Sequence, residues 1–170
     1  FLVDIKTHTP DLLGDLGRFI ASLDKTLVDF THQGAHRKIP WDLKNVLLIH
    51  DLINHLSSIE DKRIVEYFIA QFDLNVMSKL SRTRSSIIHN DINDYNIVIR
   101  EHSDNLPRIY GIIDFGDLVY THTICDLAIA IAYVMLNKPV PLKAASHVIA
   151  GYHQINPLTE QEVDILFHLS

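Results

Sequence analysis

The sequence predicts an α+β domain, mainly helical, in which a small β ribbon carries the chemistry. Three observations predict this. Apolar residues recur at three- and four-residue spacing towards both ends of the chain, short β-branched pieces broken by Asn, Asp and Pro lie between them, and the composition suits one packed domain. With 170 residues, 47% hydrophobic and 21% charged, the chain is long enough for a single core.

The first helix has a strong start. Thr9 offers a capping hydroxyl, Pro10 fits the first helical position, and Asp11 meets the positive end of the dipole. Leu12, Leu13, Leu16, Ile20, Leu23, Leu27 and Phe30 then recur at helical spacing, which predicts one long helix ending near Thr31. Residues 32–40 read as a polar loop. Leu43, Val46, Leu47, Leu52, Ile53 and Leu56 trace a second helix, and Ile64, Val65, Phe68, Ile69, Phe72, Val76 and Met77 a third, opened by Ser58 with Asp61 in a capping box. Residues 86–89, 97–100 and 109–113 read as short strands separated by turns. Helices resume over residues 123–136 and 142–153, and Thr159 with Glu162 offers a capping box for a last one.

Charge and cysteine content narrow the function. A formal net charge of -6 argues against a protein that grips nucleic acid through its phosphates. The single Cys125 has no cysteine partner for a disulfide or a zinc site, so a reducing, cytoplasmic setting is expected. The longest apolar run, 124–136, is broken by Asp126 and too short for a bilayer core of about 30 Å, so no membrane association is expected.

The stretch "IIHNDINDYNIVI" at 87–99 sets polar side chains between two aliphatic clusters. His89, Asp91 and Asn96 fit H-x-D-x-x-x-x-N, and Asp114, Phe115 and Gly116 follow after an interval that one small hairpin fills. Phosphoryl transfer to a hydroxyl needs this set: a carboxylate to orient the nucleophile and take its proton, and an amide and a second carboxylate to hold magnesium on the nucleotide. Asp91 is then the base, while Asn96 and Asp114 are the metal and cofactor ligands, because hard cations prefer oxygen. His89 belongs to the catalytic group as a buried hydrogen-bonding scaffold. Asp126, inside an apolar helix pattern, is expected to accept hydrogen bonds from the catalytic loop. Asp117 reads equally as a turn cap or as an acid near the metal; Asn93 and Asp94 read as loop residues, with Asp94 also able to meet a substrate ammonium. His32 and His36 lack a third ligand, and Trp41 reads as a packing anchor.

The stretches "HNDINDYNIVI", "GIIDFGD" and "CDLAIAIAYVM" resemble the C-terminal lobe of the aminoglycoside phosphotransferase and choline kinase group, which shares the protein-kinase-like fold; within it the chain is most similar to the hydroxylysine kinase branch. The resemblance implies Asp91 as base, Asn96 and Asp114 as Mg2+ ligands, and His89 and Asp126 as supports. It also implies a small, cationic hydroxylated amino acid or amine as acceptor, hydroxylysine first among them, and GTP or ATP as donor. Where the group has Gly between the motif His and Asp, this chain has Asn90, a residue that tolerates positive φ. No glycine-rich loop, strand lysine or partner glutamate precedes the motifs. Residues 1–170 are therefore expected to be the C-terminal catalytic lobe of a longer kinase, its N-terminal nucleotide lobe lying outside this chain and the lobe alone inactive. Two alternatives accompany this reading: a kinase-like binding module without turnover, and an aminoglycoside, homoserine or choline kinase of the same fold.

Overall fold

In the computed structural model, residues 1–101 and 106–170 are described. The turn expected between the second and third strands falls largely on residues 102–105, outside that set. The element order is a 3-10 turn at Leu2–Asp4, α1 (Pro10–Leu27), a 3-10 turn at Gln33–Ala35, a 3-10 helix at Leu43–His55, α2 (Ile59–Phe72), a π-helical stretch at Asp73–Met77 and α3 (Ser78–Leu80). There follow β1 (Ser85–Ile88), β2 (Ile97–Glu101), β3 (Pro107–Ile112), a 3-10 turn at Phe115–Asp117, β4 (Val119–His122), α4 (Ile124–Met135), α5 (Pro141–Ile155) and α6 (Glu160–Leu169).

The core is helical. Leu12, Leu16 and Ile20 of α1, Leu127 and Ile131 of α4, Val148 and Tyr152 of α5 and Ile165 of α6 pack into one buried cluster. The axes of α1 and α5 approach closely because two glycines leave room. A methyl group at Gly17 would stand 2.0 Å from the Val148 carbonyl oxygen, and one at Gly151 equally close to that of Gly14.

Local chemistry explains the helix ends. Thr9 Oγ1 accepts the Leu12 N–H at 3.2 Å, as expected of its cap position. At α6 the capping box is complete: Thr159 Oγ1 accepts from the Glu162 N–H, and the Glu162 carboxylate accepts from the Thr159 N–H. At α2 only half of the expected box forms, with Ser58 Oγ accepting from the Asp61 N–H. Aspartate is one methylene shorter than glutamate and does not reach back.

Other elements depart from the sequence pattern. α1 stops at Leu27 rather than near Thr31, because Val28 and Phe30 find no core to face and stand 56% and 47% exposed. The second helix is 3-10 rather than α, and Leu43, Val46 and Ile49, three residues apart, stack on one edge of it. On α2 and its π-helical continuation only Ile69, Phe72 and Val76 are buried, whereas Ile64 and Phe68 face outward. Trp41 is not a packing anchor: it is 61% exposed, and its indole N–H donates to Asp117 Oδ2 at 3.1 Å.

Two antiparallel ribbons position the functional loops. β1 pairs with β4, a strand the sequence reading missed, with Ile88 opposite Val119. Because β1 runs into His89 and β4 into α4, this pairing sets α4 under the loop that follows β1. β2 pairs with β3, with Ile97 opposite Ile112 and a bulge at Val98 and Ile99. Asp15 of α1 accepts the Ile109 N–H at 2.9 Å and ties the second ribbon to the helical body.

Candidate active site

His89 is fully buried, and both ring nitrogens are engaged. Nδ1 lies 3.3 Å from the Asp91 N–H, which it can only accept, so the ring proton sits on Nε2 and donates to the Ile113 carbonyl at 3.0 Å. The imidazole thus joins the loop after β1 to the end of β3, and Phe115 packs edge-on against it at 4.9 Å.

Asp91 and Asn96 are bonded to each other. Asn96 Nδ2 donates to the Asp91 carbonyl at 2.9 Å and to Asp91 Oδ2 at 2.8 Å. With both amide hydrogens directed at acceptors, the orientation of this amide is fixed by chemistry, with Oδ1 as its remaining acceptor. Asn93 completes the loop. Its Nδ2 donates to Asp91 Oδ1 at 2.8 Å, while its Oδ1 accepts the N–H groups of Tyr95 at 2.9 Å and Asn96 at 3.1 Å. The sequence reading took Asn93 for a loop residue and missed this role; the Asn-x-x-Asn spacing of an Asx turn was the available signal. Asp94 points its backbone elsewhere, accepting the Val3 N–H at 3.1 Å.

Asp114 arrives from the other ribbon. The Ile113 N–H donates to the Asn96 carbonyl at 3.0 Å, extending the β2–β3 ladder to the residue just before Asp114. Asp114 itself lies two residues beyond the end of β3, exposed and at φ 63, and caps the following 3-10 turn by accepting the Gly116 N–H at 3.3 Å. A second segment holds that turn. The Arg37 guanidinium donates to the carbonyls of Leu118, at 3.1 and 3.3 Å, and of Gly116, and Trp41 holds Asp117. Asp117 is thereby tied to Trp41.

Asp126, fully buried on α4, supports the loop as expected, accepting the N–H groups of His89 at 2.9 Å and Asn90 at 2.7 Å. With both N–H groups on one carboxylate, Asn90 sits in the left-handed region, at φ 66. Asn thus fills the conformational role of a glycine here. Burial pushes the Asp126 carboxyl up, and the two backbone N–H groups oppose that rise.

His32 and His36 do other work: His32 Nδ1 accepts the Gly34 N–H at 3.1 Å, and His36 stacks on Tyr120. Cys125 is buried, and desolvation pushes its thiol well up. An apolar cavity of about 610 Å3 lies between the 3-10 helix, α2 and α6, and none of the motif residues lines it. A smaller cleft of about 440 Å3 does reach the site, bordered by Phe115, Gly116 and Arg37. Among the described residues no helix is long and apolar enough to cross a membrane.

A fold of buried helices with a two-ribbon insert presenting an H-x-D loop and a D-F-G turn side by side defines the protein-kinase-like class. Comparison with known proteins is specific: the profile of the phosphotransferase enzyme family matches residues 4–161, and the chain belongs to that family. Similar curated relatives are the hydroxylysine kinases of Mus musculus, 37% identical over 92% of this chain, and Bos taurus, 38% identical over 94%. This chain spans 44% and 45% of their lengths, less than half of each. Among solved structures, a microcompartment-associated aminopropanol kinase superposes with a TM-score of 0.68 at 20% identity, covering 98% of this chain and 52% of that one. An amicoumacin kinase in complex with AMP-PNP and Ca2+ gives 0.62 at 18% identity, covering 95% and 48%. The fold expected from the sequence is thus observed.

Proposed function

We propose that residues 1–170 are the C-terminal catalytic lobe of a small-molecule kinase that moves the γ-phosphoryl group of GTP or ATP to the hydroxyl of a small hydroxylated amino acid or amine, hydroxylysine being the first candidate. The observation that carries this reading is the bonded Asp91–Asn96 pair, joined through the Ile113 N–H to the strand that delivers Asp114. The names of the relatives supply the acceptor, and in this reading the nucleotide lobe lies in sequence outside this chain.

Asp91 keeps a lone pair on each carboxylate oxygen after its bonds to Asn93 and Asn96, so it can accept a hydrogen bond from an incoming alcohol. As the alcohol oxygen bonds to the γ-phosphorus and the bond to the bridging oxygen of the nucleoside diphosphate breaks, the alcohol proton passes to Asp91. Asn96 Oδ1 and the exposed Asp114 carboxylate are oxygen donors suited to Mg2+, which would offset charge on the phosphates. His89, with both nitrogens occupied, orients the loop and does not exchange a proton with substrate.

The reading without turnover rests on the nucleotide lobe that this chain lacks and on Asn90; the φ of 66 at that position answers only the second ground. A coupled assay on the full-length protein, with hydroxylysine, homoserine, choline and an aminoglycoside against GTP and ATP, tests the proposal. Asp91→Asn is expected to lower kcat by about 10²- to 10⁴-fold, the usual worth of a general base, with little change in KM. Unchanged turnover in that variant refutes the assignment of the base.

A further inference from the structure

The buried carboxylate under the catalytic loop has an acidic neighbour. Asp24, on the inner face of α1, is fully buried, and the charge of the Asp126 carboxylate acts on it. Two ionised carboxylates in contact inside a core repel each other and lose their hydration, so one must hold a proton.

The direction of each hydrogen bond leading to this pair follows from Arg84, which can only donate. Arg84 Nη1 donates to Asn156 Oδ1 at 2.6 Å, which turns the amide so that Nδ2 donates to Tyr152 Oη at 3.0 Å. The phenol must then use its one proton on Asp24 Oδ2, at 2.6 Å. Asp24 Oδ1 is left buried with no donor aimed at it. On the far side, each Asp126 oxygen accepts a backbone N–H of the catalytic loop, an arrangement that favours the ionised form. The proton therefore belongs on Asp24, whose Oδ1 has no other partner.

We propose that Asp24 is a neutral carboxylic acid at physiological pH, that its O–H donates to the Asp126 carboxylate, and that it is thereby a positioning residue for the loop carrying Asp91. Burial and the negative charge of Asp126 push the Asp24 carboxyl well above the ordinary carboxylate range, in agreement with the geometry. The proposed bond joins two observed sets of contacts: the Arg84–Glu162 ion pair, Asn156, Tyr152 and Asp24 on one side, and Asp126 with the backbone of His89 and Asn90 on the other.

Only the activity arm of the test rests on the kinase reading. Infrared spectra of the full-length protein in H2O and D2O at about pH 7.5, where a solvated aspartate is ionised, are expected to show a deuterium-sensitive C=O stretch of a buried acid. Asp24→Asn should remove it. Absence of the band from the wild type, or its survival in Asp24→Asn, overturns the proposal. Asp24→Asn, whose amide N–H can replace the O–H, is expected to hold kcat within about threefold, whereas Asp24→Ala loses about tenfold or more with nucleotide KM unchanged. An Asp24→Asn enzyme as slow as Asp24→Ala overturns the positioning role. A wild type that phosphorylates none of the acceptors sinks the kinase reading, while the infrared band still decides where the proton is.

Discussion

The loop carrying Asp91 and the turn carrying Asp114 hold acids of the same type in opposite ways. In the loop, hydrogen bonds to side chains tie down most positions: Asn93 and Asn96 hold Asp91, His89 holds the Asp91 N–H, and Asp126 holds two more backbone groups beneath them. Around Asp114 the carboxylate is exposed, caps its own turn, and is placed by backbone carbonyls that Arg37 holds from another segment. The difference suits the proposed roles: a base is preorganised against one atom of substrate, whereas a metal ligand needs only to be delivered to the ion.

Removing the carboxylates should expose this contrast most sharply. Asp126→Ala leaves two buried N–H groups and the Asp24 acid without a partner, and at about 1–3 kcal/mol for each orphaned group a loss of about 4 kcal/mol in urea unfolding is expected. Asp114→Ala, at an exposed position, should unfold within about 0.5 kcal/mol of wild type while abolishing turnover. Equal destabilisation by the two would erase the distinction.

A smaller effect is expected at the outer end of the polar chain. Arg84→Met strands Glu162, whose carboxylate is fully buried, and should cost about 3 kcal/mol at neutral pH, discounted because Arg84 is partly exposed. Burial alone would raise the Glu162 carboxyl, but the bonds from Arg84 and from the Thr159 N–H hold it below its ordinary 4.5. Its contribution is therefore present above that value and is lost as pH falls through the folded-state pKa. The gap between wild type and Arg84→Met should narrow under acid, and melting curves of both proteins across that range check it.

Asn90→Gly should stabilise the loop by about 1 kcal/mol, since glycine adopts positive φ freely and the Asn90 amide is buried with neither polar atom bonded. Thermal unfolding of the variant measures it. The smallest change in stability is expected from Arg37→Ala, about 0.5 kcal/mol, and it should appear instead as a several-fold higher Mg2+ requirement in the coupled assay. An unaltered Mg2+ requirement would mean that the Asp114 turn needs no help from that segment.

Most of the helices were legible because each depends on neighbours three or four residues away, and so were the Thr9 and Thr159 caps, whose partners lie within one turn. The motif residues were legible for a similar reason: the chemistry restricts their types and the ribbon restricts their spacing. Less could be read where the deciding partner is distant in sequence. β4 is held by β1, Trp41 faces Asp117, and the exposure of Ile64 and Phe68 depends on which face of α2 the rest of the molecule covers.

Residue order alone determined most of the helices, where several begin, and which side chains are proposed to orient an alcohol or bind a divalent ion. Tertiary structure decided what surrounds them: that Asn93 braces Asp91, that Arg37 grips the turn after Asp114, and that Asp24 meets Asp126 in the core. The physical reason is range. Helical periodicity and capping act over a few residues, whereas the protonation of Asp24 depends on an acid about a hundred positions away, brought into contact only when α1 packs against α4.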